Sequence, residues 1–352
     1  MRVSDFDFEL PDDRIALRPA RPRDSARLLV VRGPEGALED HHVRDLPRLL
    51  RSGDRLVAND TRVISAALRG RREARTPDGA GSEIDVNLHR REGPADWSAF
   101  ARPAKRLKVG DRVVFSPDLE AQVMRRGEGG EIALTFSRAG ADLDAALARV
   151  GSPPIPPYIA SRRAVDELDT EDYQTLFASA PGSVAAPTAG LHFTPELHEA
   201  LNAAGVALSR LTLHVNAGTF LPVKVDQTKD HVMHAEEAYL DEATACEIRD
   251  TRAAGGRCIA IGTTALRTLE SASASGRLEA FSGDTSIFIT PGHVFHGCDG
   301  LMTNFHLPRS TLFMLVCALM GLETMKRAYA HAIDREYRFY SYGDACLLLP
   351  HG

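Results

Sequence analysis

The sequence predicts an α/β protein that carries a small all-β insert, and three observations support this fold class. From about residue 170 onward, apolar strand-like segments alternate with helical segments, which is typical of an α/β domain with partly parallel strands. Between about 62 and 138, short alternating segments follow at even spacing between Gly, Pro and Asp turns, which predicts a small β-barrel or sandwich. The proline-rich stretch GSPPIPPYI at 151–159 then predicts a stiff connector back to the first domain.

The first 61 residues supply the start of the α/β part. Two short strands, RLLVV and ALEDHHV, flank the turn GPEG, and the helix-like VRDLPRLL precedes a further strand, RLVAND. The insert contributes the strand segments AALRGRR, EIDVNLH, WSAFAR, DRVVF, EAQVMRR and EIALTF, followed by the helical DLDAALARV. The chain is therefore predicted to consist of a discontinuous domain, 1–61 and 151–352, and an inserted domain, 62–150.

The second half of the chain shows the alternation most clearly. Strands are predicted at ALSRLTL (207–213) and RCIAIG (257–262), and helices near 241–254, at TALRTLESA (264–272) and in an apolar run at 311–320. That apolar run is far shorter than the roughly 20 residues of a membrane span, so it predicts a buried helix.

Composition and cysteine usage limit the class of protein. The chain has 352 residues, of which 43% are hydrophobic, enough for a full globular core. Its five cysteines form no C-x-x-C pair, which fits a reducing compartment better than a disulfide framework. The first residues, MRVSDFDFELP, contain no apolar signal region. We therefore expect a cytoplasmic protein without a membrane anchor.

Charge is distributed unevenly along the chain. The net charge is −6, yet residues 62–150 hold 16 Lys and Arg against 13 Asp and Glu, and residues 62–112 hold 12 against 7. A basic module in an acidic protein permits local binding to a polyanion. The densest cluster, in FARPAKRLKVG, could grip a phosphate backbone or could be a solvated basic loop. This cluster consists of Arg102, Lys105, Arg106 and Lys108.

The stretch APTAGLHFTPEL (186–197) places a histidine on a loop just before a helix. Thr194 is a good N-cap, and Pro195 suits the first helical turn. Gly190 permits close approach of the backbone to a ligand, and a helix N-terminus offers unpaired N–H groups to an anion. His192 is thus a candidate site residue; alternatively, its neighbours anchor the loop and the imidazole bonds a nearby carbonyl.

The stretch RCIAIGTTALRTLES predicts a strand that ends at a helix start. Gly262, Thr263 and Thr264 occupy that junction, where ligands bind in open α/β sheets. The pattern matches neither a dinucleotide-binding nor a phosphate-binding loop. A capped helix after a core strand is the alternative interpretation.

The stretch DHVMHAEE groups two histidines with an acid. His231 and His234 could share a helix face and bind a metal, but no further Cys or His cluster completes a zinc signature. The two histidines could equally be acid–base groups, because histidine titrates near neutral pH. A loop with hydrogen-bonded histidines is the third interpretation.

The stretch LMTNFHLPRSTL combines polar residues just before the buried helix. These residues are Asn304, His306, Arg309 and Ser310, and Arg309 could bind a carboxylate with two hydrogen bonds or could be a surface residue.

These segments together resemble the S-adenosylmethionine:tRNA ribosyltransferase-isomerase family of the queuosine pathway. The resemblance covers roughly residues 1–346, and its most specific blocks lie at 182–197 and 303–316. The matching blocks are FDFELPDDRIA, RPRDSARLLV, NDTRV, ARPAKRLKVGDRV, PPIPPYI, YQTLFA, PGSVAAPTAGLHFTPEL, TLHVNAGTFLPV, HVMHAEE, AIGTTALRTLES, FITPG, TNFHLPRSTLFMLV and YRFYSYGDA. Two departures stand out: Asn216 replaces an expected glycine, and Leu221 replaces an expected arginine, which leaves one anion contact in doubt.

The resemblance implies a fold and an activity. The fold would be an α/β core domain with a barrel-like mixed sheet and an inserted small β-barrel. The enzyme would transfer and isomerise the ribosyl group of S-adenosylmethionine onto 7-aminomethyl-7-deazaguanine at the tRNA wobble position. The products would be epoxyqueuosine, adenine and methionine. S-adenosylmethionine and the tRNA would be substrates, no cofactor or metal is implied, and we favour a monomer over an oligomer.

The implied chemistry needs at least two acid–base groups. The matching blocks offer His192 as the first catalytic candidate and His234 or Glu236 as the second proton carrier; His214 and His306 are further titratable residues. The substrate-pocket candidates implied by the same blocks are Gly190, Gly262, Thr263, Thr264, Asn304 and Arg309.

Two rival functions remain at the level of sequence. An S-adenosylmethionine-dependent tRNA methyltransferase would normally show a Gly-rich loop after its first strand and an acidic residue ending the next, and the sequence lacks this pair. A non-catalytic RNA-binding protein would not require a histidine-rich α/β domain.

Overall fold

The computed structural model describes residues 1–76, 79–216 and 223–351. It confirms the predicted fold class: an α/β core with a large mixed sheet and a closed six-stranded β-barrel. The strands are β1 (Arg27–Arg32), β2 (Ala37–His42), β3 (Arg55–Asn59), β4 (Thr61–Val63), β5 (Ala67–Arg72), β6 (Ser82–Arg91), β7 (Asp96–Arg102), β8 (Arg112–Ser116), β9 (Leu119–Arg126), β10 (Glu131–Phe136), β11 (Ala180–Ser183), β12 (Ala207–Leu213), β13 (Glu236–Leu240), β14 (Cys258–Ile261), β15 (Phe281–Thr285), β16 (Gly300–Asn304) and β17 (Ala345–Leu349). The α-helices are α1 (Leu46–Leu49), α2 (Gly140–Val150), α3 (Pro157–Ala160), α4 (Leu168–Asp172), α5 (Pro195–Ala203), α6 (Glu242–Ala253), α7 (Gly262–Ala272), α8 (Thr311–Met320) and α9 (Leu322–Asp334).

The core sheet has nine strands in the described part of the chain, in the order β15-β13-β12-β3-β14-β16-β17-β1-β2. Its four central strands, β12, β3, β14 and β16, are mutually parallel, whereas β13 runs antiparallel to β12 and β17 runs antiparallel to β16. β14 has the sequence CIAI and is buried throughout, as expected for a central strand covered by helices on both faces. The carboxyl ends of the four parallel strands therefore meet at one edge of the sheet.

Apolar clusters cover both faces of this sheet. One cluster includes Leu266 of α7, Phe313 of α8 and Tyr329 of α9, and the other includes Leu46 of α1 and Leu197 of α5. The arrangement is the three-layer solution that α/β domains adopt to bury both sheet faces.

Helix starts follow the capping signals in the sequence. The hydroxyl of Thr194 accepts a hydrogen bond from the backbone N–H of Leu197 at 3.2 Å, which confirms the predicted start of α5 at Pro195. Ser310 caps α8 in the same way through the N–H of Phe313, and α8 spans the predicted apolar run. Within the described chain, no helix has the length and apolar character needed to cross a membrane.

The barrel is formed by β5 to β10, which close in the order β10-β7-β6-β5-β8-β9. Alternate residues of β5, β6 and β10 point inward, and α2 packs Leu143 and Leu147 against this interior. Ala67 at the start of the barrel bridges to Ser152, where the chain leaves it. Because these six strands form a closed sheet, the insert is a barrel and not a sandwich. The domain bounds, residues 62 and 150, stay a prediction.

Candidate active site

A cleft opens at the edge where the parallel strands end. Its free space, including the open mouth, is about 590 Å³. Clefts at the carboxyl ends of parallel strands are the normal ligand sites of open α/β sheets. We refer to it as the substrate cleft; it is lined by Ala185, Ala186, Pro187, Thr188, Ala189, Val215, Gly262, Thr263, Thr264, Thr303, Asn304, Phe305, His306, Leu312, Tyr340 and Ser341.

The N-terminus of α7 opens into this cleft. The helix begins directly after β14, and no side chain caps its first turn, so its first N–H groups are available to a ligand. Gly262 adopts φ +88°, a conformation that favours glycine, and places the backbone against the Cβ of Ala189. The hydroxyl oxygen of Thr264 is buried and has no hydrogen-bond partner within the described chain. Gly262, Thr263 and Thr264 thus lie together where the sequence predicts substrate binding.

Asn304 is held in a fixed orientation at the end of β16. The hydroxyl of Thr188 donates to its side-chain oxygen at 3.0 Å, and its amide nitrogen lies 3.2 Å from Nε2 of His192. Because an amide N–H can only donate, Nε2 of His192 must accept and carries no proton in this arrangement. The contact joins residues 112 positions apart, and Asn304 lines the cleft.

His192 lies behind Asn304, does not line the substrate cleft and is only 5% exposed. Burial lowers the pKa of its imidazole to about 4, so the ring is neutral at pH 7. The buried position supports a role in orienting Asn304. The role of His192 in proton transfer stays a prediction.

Among the described residues, His306 is the histidine that lines the substrate cleft. Burial lowers its pKa to about 3, and its Nε2 lies 3.3 Å from the hydroxyl of Thr303. A neutral imidazole at this position can form a hydrogen bond with a bound molecule. The sequence indicates His306 only as one of several titratable residues.

Tyr340 also lines the substrate cleft, and the sequence motifs do not identify it as a site residue. Its φ of +75° is unusual for a residue with a side chain, and its ring packs against that of Tyr158 with centroids 4.3 Å apart. Phe305 and Leu312 add apolar surface nearby. The run of aromatic residues in YRFYSYGDA is the one signal that could have drawn attention to Tyr340.

Two predicted pocket residues lie away from the substrate cleft. Gly190, in the 3₁₀ turn Thr188–His192, faces the core, where an added Cβ would come within 3.1 Å of the Thr175 side chain. Arg309 is exposed and forms a salt bridge with Asp7, with Nη2 and Oδ2 2.6 Å apart. Neither residue lines the cleft, and their substrate roles stay predictions.

The acid–base candidates in DHVMHAEE, His234 and Glu236, also lie outside the substrate cleft. Glu236 is buried at the start of β13, where its carboxylate pairs with Arg267 of α7 and accepts the backbone N–H of Asn216 at 3.0 Å. His234 is exposed. Burial, and to a smaller extent the neighbouring His234, lowers the pKa of His231. Their roles as proton carriers stay predictions.

The same segment does not form a helix. Residues 231–235 are irregular and lead into β13, so His231 and His234 do not share a helix face. Within the described ranges there is no group of three or more His, Cys, Asp or Glu side chains placed to hold a metal ion. Of the two departures from the family pattern, Asn216 also donates its amide to the carbonyl of Ala235 at 2.9 Å, and Leu221 lies outside the described residues.

The basic cluster of the barrel is exposed on one loop. Arg75 and Asp111 form a salt bridge at 2.6 Å, and they hold the loop through the carbonyl of Arg106 and the N–H of Lys108. In the described part of the chain, the predicted cations have no acidic partner, and they remain available to an anion. These side chains are Arg102, Lys105, Arg106 and Lys108.

The fold and the site define a class: an α/β protein with a small-molecule cleft at the carboxyl edge of its parallel strands and an inserted β-barrel that displays exposed cations. Comparison with known proteins points to one family. A family model described as "Queuosine biosynthesis protein" matches residues 3–348. The S-adenosylmethionine:tRNA ribosyltransferase-isomerases of Maricaulis maris and Rhizorhabdus wittichii are 61% and 60% identical to this chain. These two alignments cover 99% of the chain and 99% and 100% of the respective relatives.

A solved structure gives the same result. The crystal structure of the S-adenosylmethionine tRNA ribosyltransferase from Thermotoga maritima is 34% identical, covers 98% of this chain and 100% of its own, and superposes with a TM-score of 0.56. The chain belongs to the S-adenosylmethionine:tRNA ribosyltransferase-isomerase family of queuosine biosynthesis. The family resemblance inferred from the sequence motifs is confirmed, and these comparisons do not support the methyltransferase alternative.

Proposed function

We propose that this protein transfers and isomerises the ribosyl group of S-adenosylmethionine onto 7-aminomethyl-7-deazaguanine at the tRNA wobble position, with release of adenine and methionine. The observation that carries the proposal is the substrate cleft, where the uncapped start of α7 and the fixed amide of Asn304 converge. Family membership identifies the reaction, and the geometry suggests how the residues contribute.

The cleft has a place for each end of S-adenosylmethionine. Its α-carboxylate fits the N-terminus of α7, where free N–H groups and the helix dipole favour an anion and the unpaired hydroxyl of Thr264 can donate. Its adenine fits the part of the wall where Tyr340 offers an aromatic face and Leu312 an apolar contact. Asn304 lines the same cleft and can hydrogen-bond the ribose.

Proton transfer is the main chemical demand on the protein. The sulfonium acidifies the adjacent 5′ carbon, adenine needs an acid to leave, and the aminomethyl group of the RNA must be neutral to attack. Epoxide closure then expels methionine. Burial lowers the pKa of His306 to about 3, so this imidazole is neutral at pH 7 but too weak a base to remove the 5′ proton, and we assign it a hydrogen bond to the bound substrate. We assign no metal or redox cofactor to this sequence of steps.

The RNA substrate is expected to bind across the barrel. Its phosphates would contact the exposed cations of the ARPAKRLKVG loop, which explains how a protein of net charge −6 binds a polyanion. We further propose that the protein acts in the cytoplasm as a monomer, in keeping with its reduced cysteines.

The test is a reaction with S-adenosylmethionine and tRNA that carries the aminomethyl precursor. We expect adenine, methionine and a heavier nucleoside to appear together and in equal amounts. A parallel reaction with S-adenosylmethionine labelled in its methyl group distinguishes the alternative, because a ribosyl transfer leaves the label in methionine. Label in the RNA without adenine release would contradict the proposal and favour methylation.

A further inference from the structure

A second cleft lies between the β-barrel and the core. The barrel side is formed by the end of β6 and the start of β7, and the core side by β11, the start of β13 and the segment that follows β12. We call it the interdomain cleft; it is lined by His89, Arg90, Arg91, Trp97, Pro181, Gly182, His214, Asn216, Ala235, Glu237 and Asp284. The substrate cleft uses none of these side chains.

The two clefts share their walls. The chain segment 181–189 lines the interdomain cleft with its first residues and the substrate cleft with Ala185 to Ala189. In the extended segment after β12, His214 and Asn216 line the interdomain cleft, whereas Val215 between them lines the substrate cleft. The separation of the clefts is therefore a single layer of backbone, and a ligand that reaches both need only pass over this layer.

The barrel wall contains buried ring nitrogens without partners. Nε1 of Trp97 and Nε2 of His89 are both inaccessible to solvent, and neither has a hydrogen-bond partner within the described chain. Trp97 as a whole is 2% exposed. Leaving such a group buried and unpaired is unfavourable, so these two nitrogens indicate that a partner arrives with a ligand.

Apart from the two acids Glu237 and Asp284, the remaining lining residues favour a nucleotide. The guanidinium of Arg91 lies 4.9 Å from the centre of the Trp97 ring, and Arg90 lies beside it on β6. On the core side, Nδ1 of His214 is 2.8 Å from the hydroxyl of Thr61, which fixes the imidazole at the cleft. Aromatic rings, guanidinium planes and ring N–H donors are the groups with which proteins bind unstacked RNA bases.

We propose that the interdomain cleft binds one of the two nucleotides that flank the modified base, held outside the anticodon stack. The inference rests on the proposed function, because the target base must reach the substrate cleft on the other side of the shared wall. Arg90 is paired with Asp284 and Arg91 with Asp144, and these two arginines then exchange an acid for the phosphate of the flanking nucleotide. The exposed cations of the same barrel continue the contact along the RNA backbone.

The single tryptophan of the chain, Trp97, makes the cleft directly observable. The wild-type protein is titrated, without S-adenosylmethionine, with a precursor anticodon stem-loop, while tryptophan fluorescence and binding by filter retention are both recorded. The same titration is made with two stem-loops, each abasic at one flanking position. We expect saturable quenching by the intact RNA and its loss, with at least about tenfold weaker binding, for one abasic RNA.

Trp97→Phe tests the ring nitrogen and keeps the aromatic packing. We expect the dissociation constant for intact RNA to rise about five- to tenfold, the value of one hydrogen bond to a neutral base, with KM for S-adenosylmethionine unchanged. The substitution should add nothing to the effect of the critical abasic position, because both remove the same contact. Tyr239→Phe is the matched control: it removes an exposed ring hydroxyl from neighbouring β13 and should leave RNA binding unchanged.

The outcomes separate this inference from the proposed function. Equal quenching and binding by all three RNAs would overturn the flanking-nucleotide site, even if the enzyme turns over normally. Binding of intact RNA without any change in fluorescence would also overturn it. Absence of adenine release in the turnover assay would contradict the proposed function, and the fluorescence titration, which contains no S-adenosylmethionine, would still report on the cleft.

Discussion

Replacement of His192 separates two roles that the sequence and the structure favour differently. The sequence favours proton transfer, whereas the buried position behind Asn304 favours orienting that amide. His192→Ala removes the acceptor of the amide N–H and leaves it buried, since Asn304 is only 3% exposed. An unpaired buried donor costs about 1–3 kcal/mol, which is a loss of about 5- to 150-fold in kcat/KM. His192→Gln supplies an oxygen acceptor, and we expect it to stay within about fivefold of the wild type.

The assay is initial-rate adenine release at saturating tRNA, with kcat and KM for S-adenosylmethionine measured from pH 5.5 to 8.5. Because the pKa of His192 is about 4, the ring is neutral throughout this range and should contribute no inflection to the wild-type profile. Thr188→Val is the companion variant: it removes the donor on the other side of the Asn304 amide and should reduce kcat/KM in the same way.

A particular result would refute this reasoning. If His192→Gln loses as much kcat as His192→Ala, about 10²-fold or more, with KM and the unfolding midpoint unchanged, the imidazole itself transfers a proton. Orientation of Asn304 would then be its secondary role.

Three further predictions concern RNA binding, metal dependence and acid stability. Lys105→Ala and Arg106→Ala should each reduce the slope of log affinity against log salt by about 1. Arg138→Ala is the control and should change the slope less, because the guanidinium of Arg138 is already paired with Asp118. Unchanged slopes for Lys105→Ala and Arg106→Ala would place both residues off the RNA surface. Prolonged treatment with EDTA should leave turnover intact because every proposed step is proton transfer or displacement at carbon, and a loss restored by zinc would contradict this. Burial lowers the pKa of His192 to about 4 and that of His306 to about 3, below the ordinary value of 6.5. Between the folded-state pKa and 6.5 the unfolded chain binds more protons than the folded chain, so the free energy of unfolding falls as pH falls. At pH 5 each pKa shift should remove about 2 kcal/mol relative to pH 7.5, so denaturant unfolding of His192→Gln should show a smaller loss between these pH values than the wild type.

Local patterns were sufficient for most of the secondary structure. Thr194 and Pro195 mark the start of α5, and the apolar run at 311–320 is α8, because caps and apolar periodicity act over a few residues. The same applies to Gly262, Thr263 and Thr264: a strand that ends at a helix start places its junction at the carboxyl edge of a parallel sheet wherever that strand lies.

The contents of the cleft depended on contacts between distant parts of the chain. Gly190 and Arg309 belong to the most specific motif blocks, yet one packs on Thr175 and the other pairs with Asp7. A motif records that residues are needed near one another, and it does not state which side of the backbone each side chain occupies. Tyr340 shows the converse, since it enters the cleft only through the position of the chain before β17.

The sequence by itself determined the family, the α/β class, the inserted barrel and the residues available for chemistry, because these depend on composition, periodicity and order along the chain. The tertiary structure alone decided which of those residues meet. The contact of Asn304 with His192 spans 112 positions, and the interdomain cleft joins Trp97 of the barrel to His214 of the core. Burial, which lowers the pKa of His192 and His306, is likewise a property of the packed molecule, because desolvation requires neighbours from every layer of the fold.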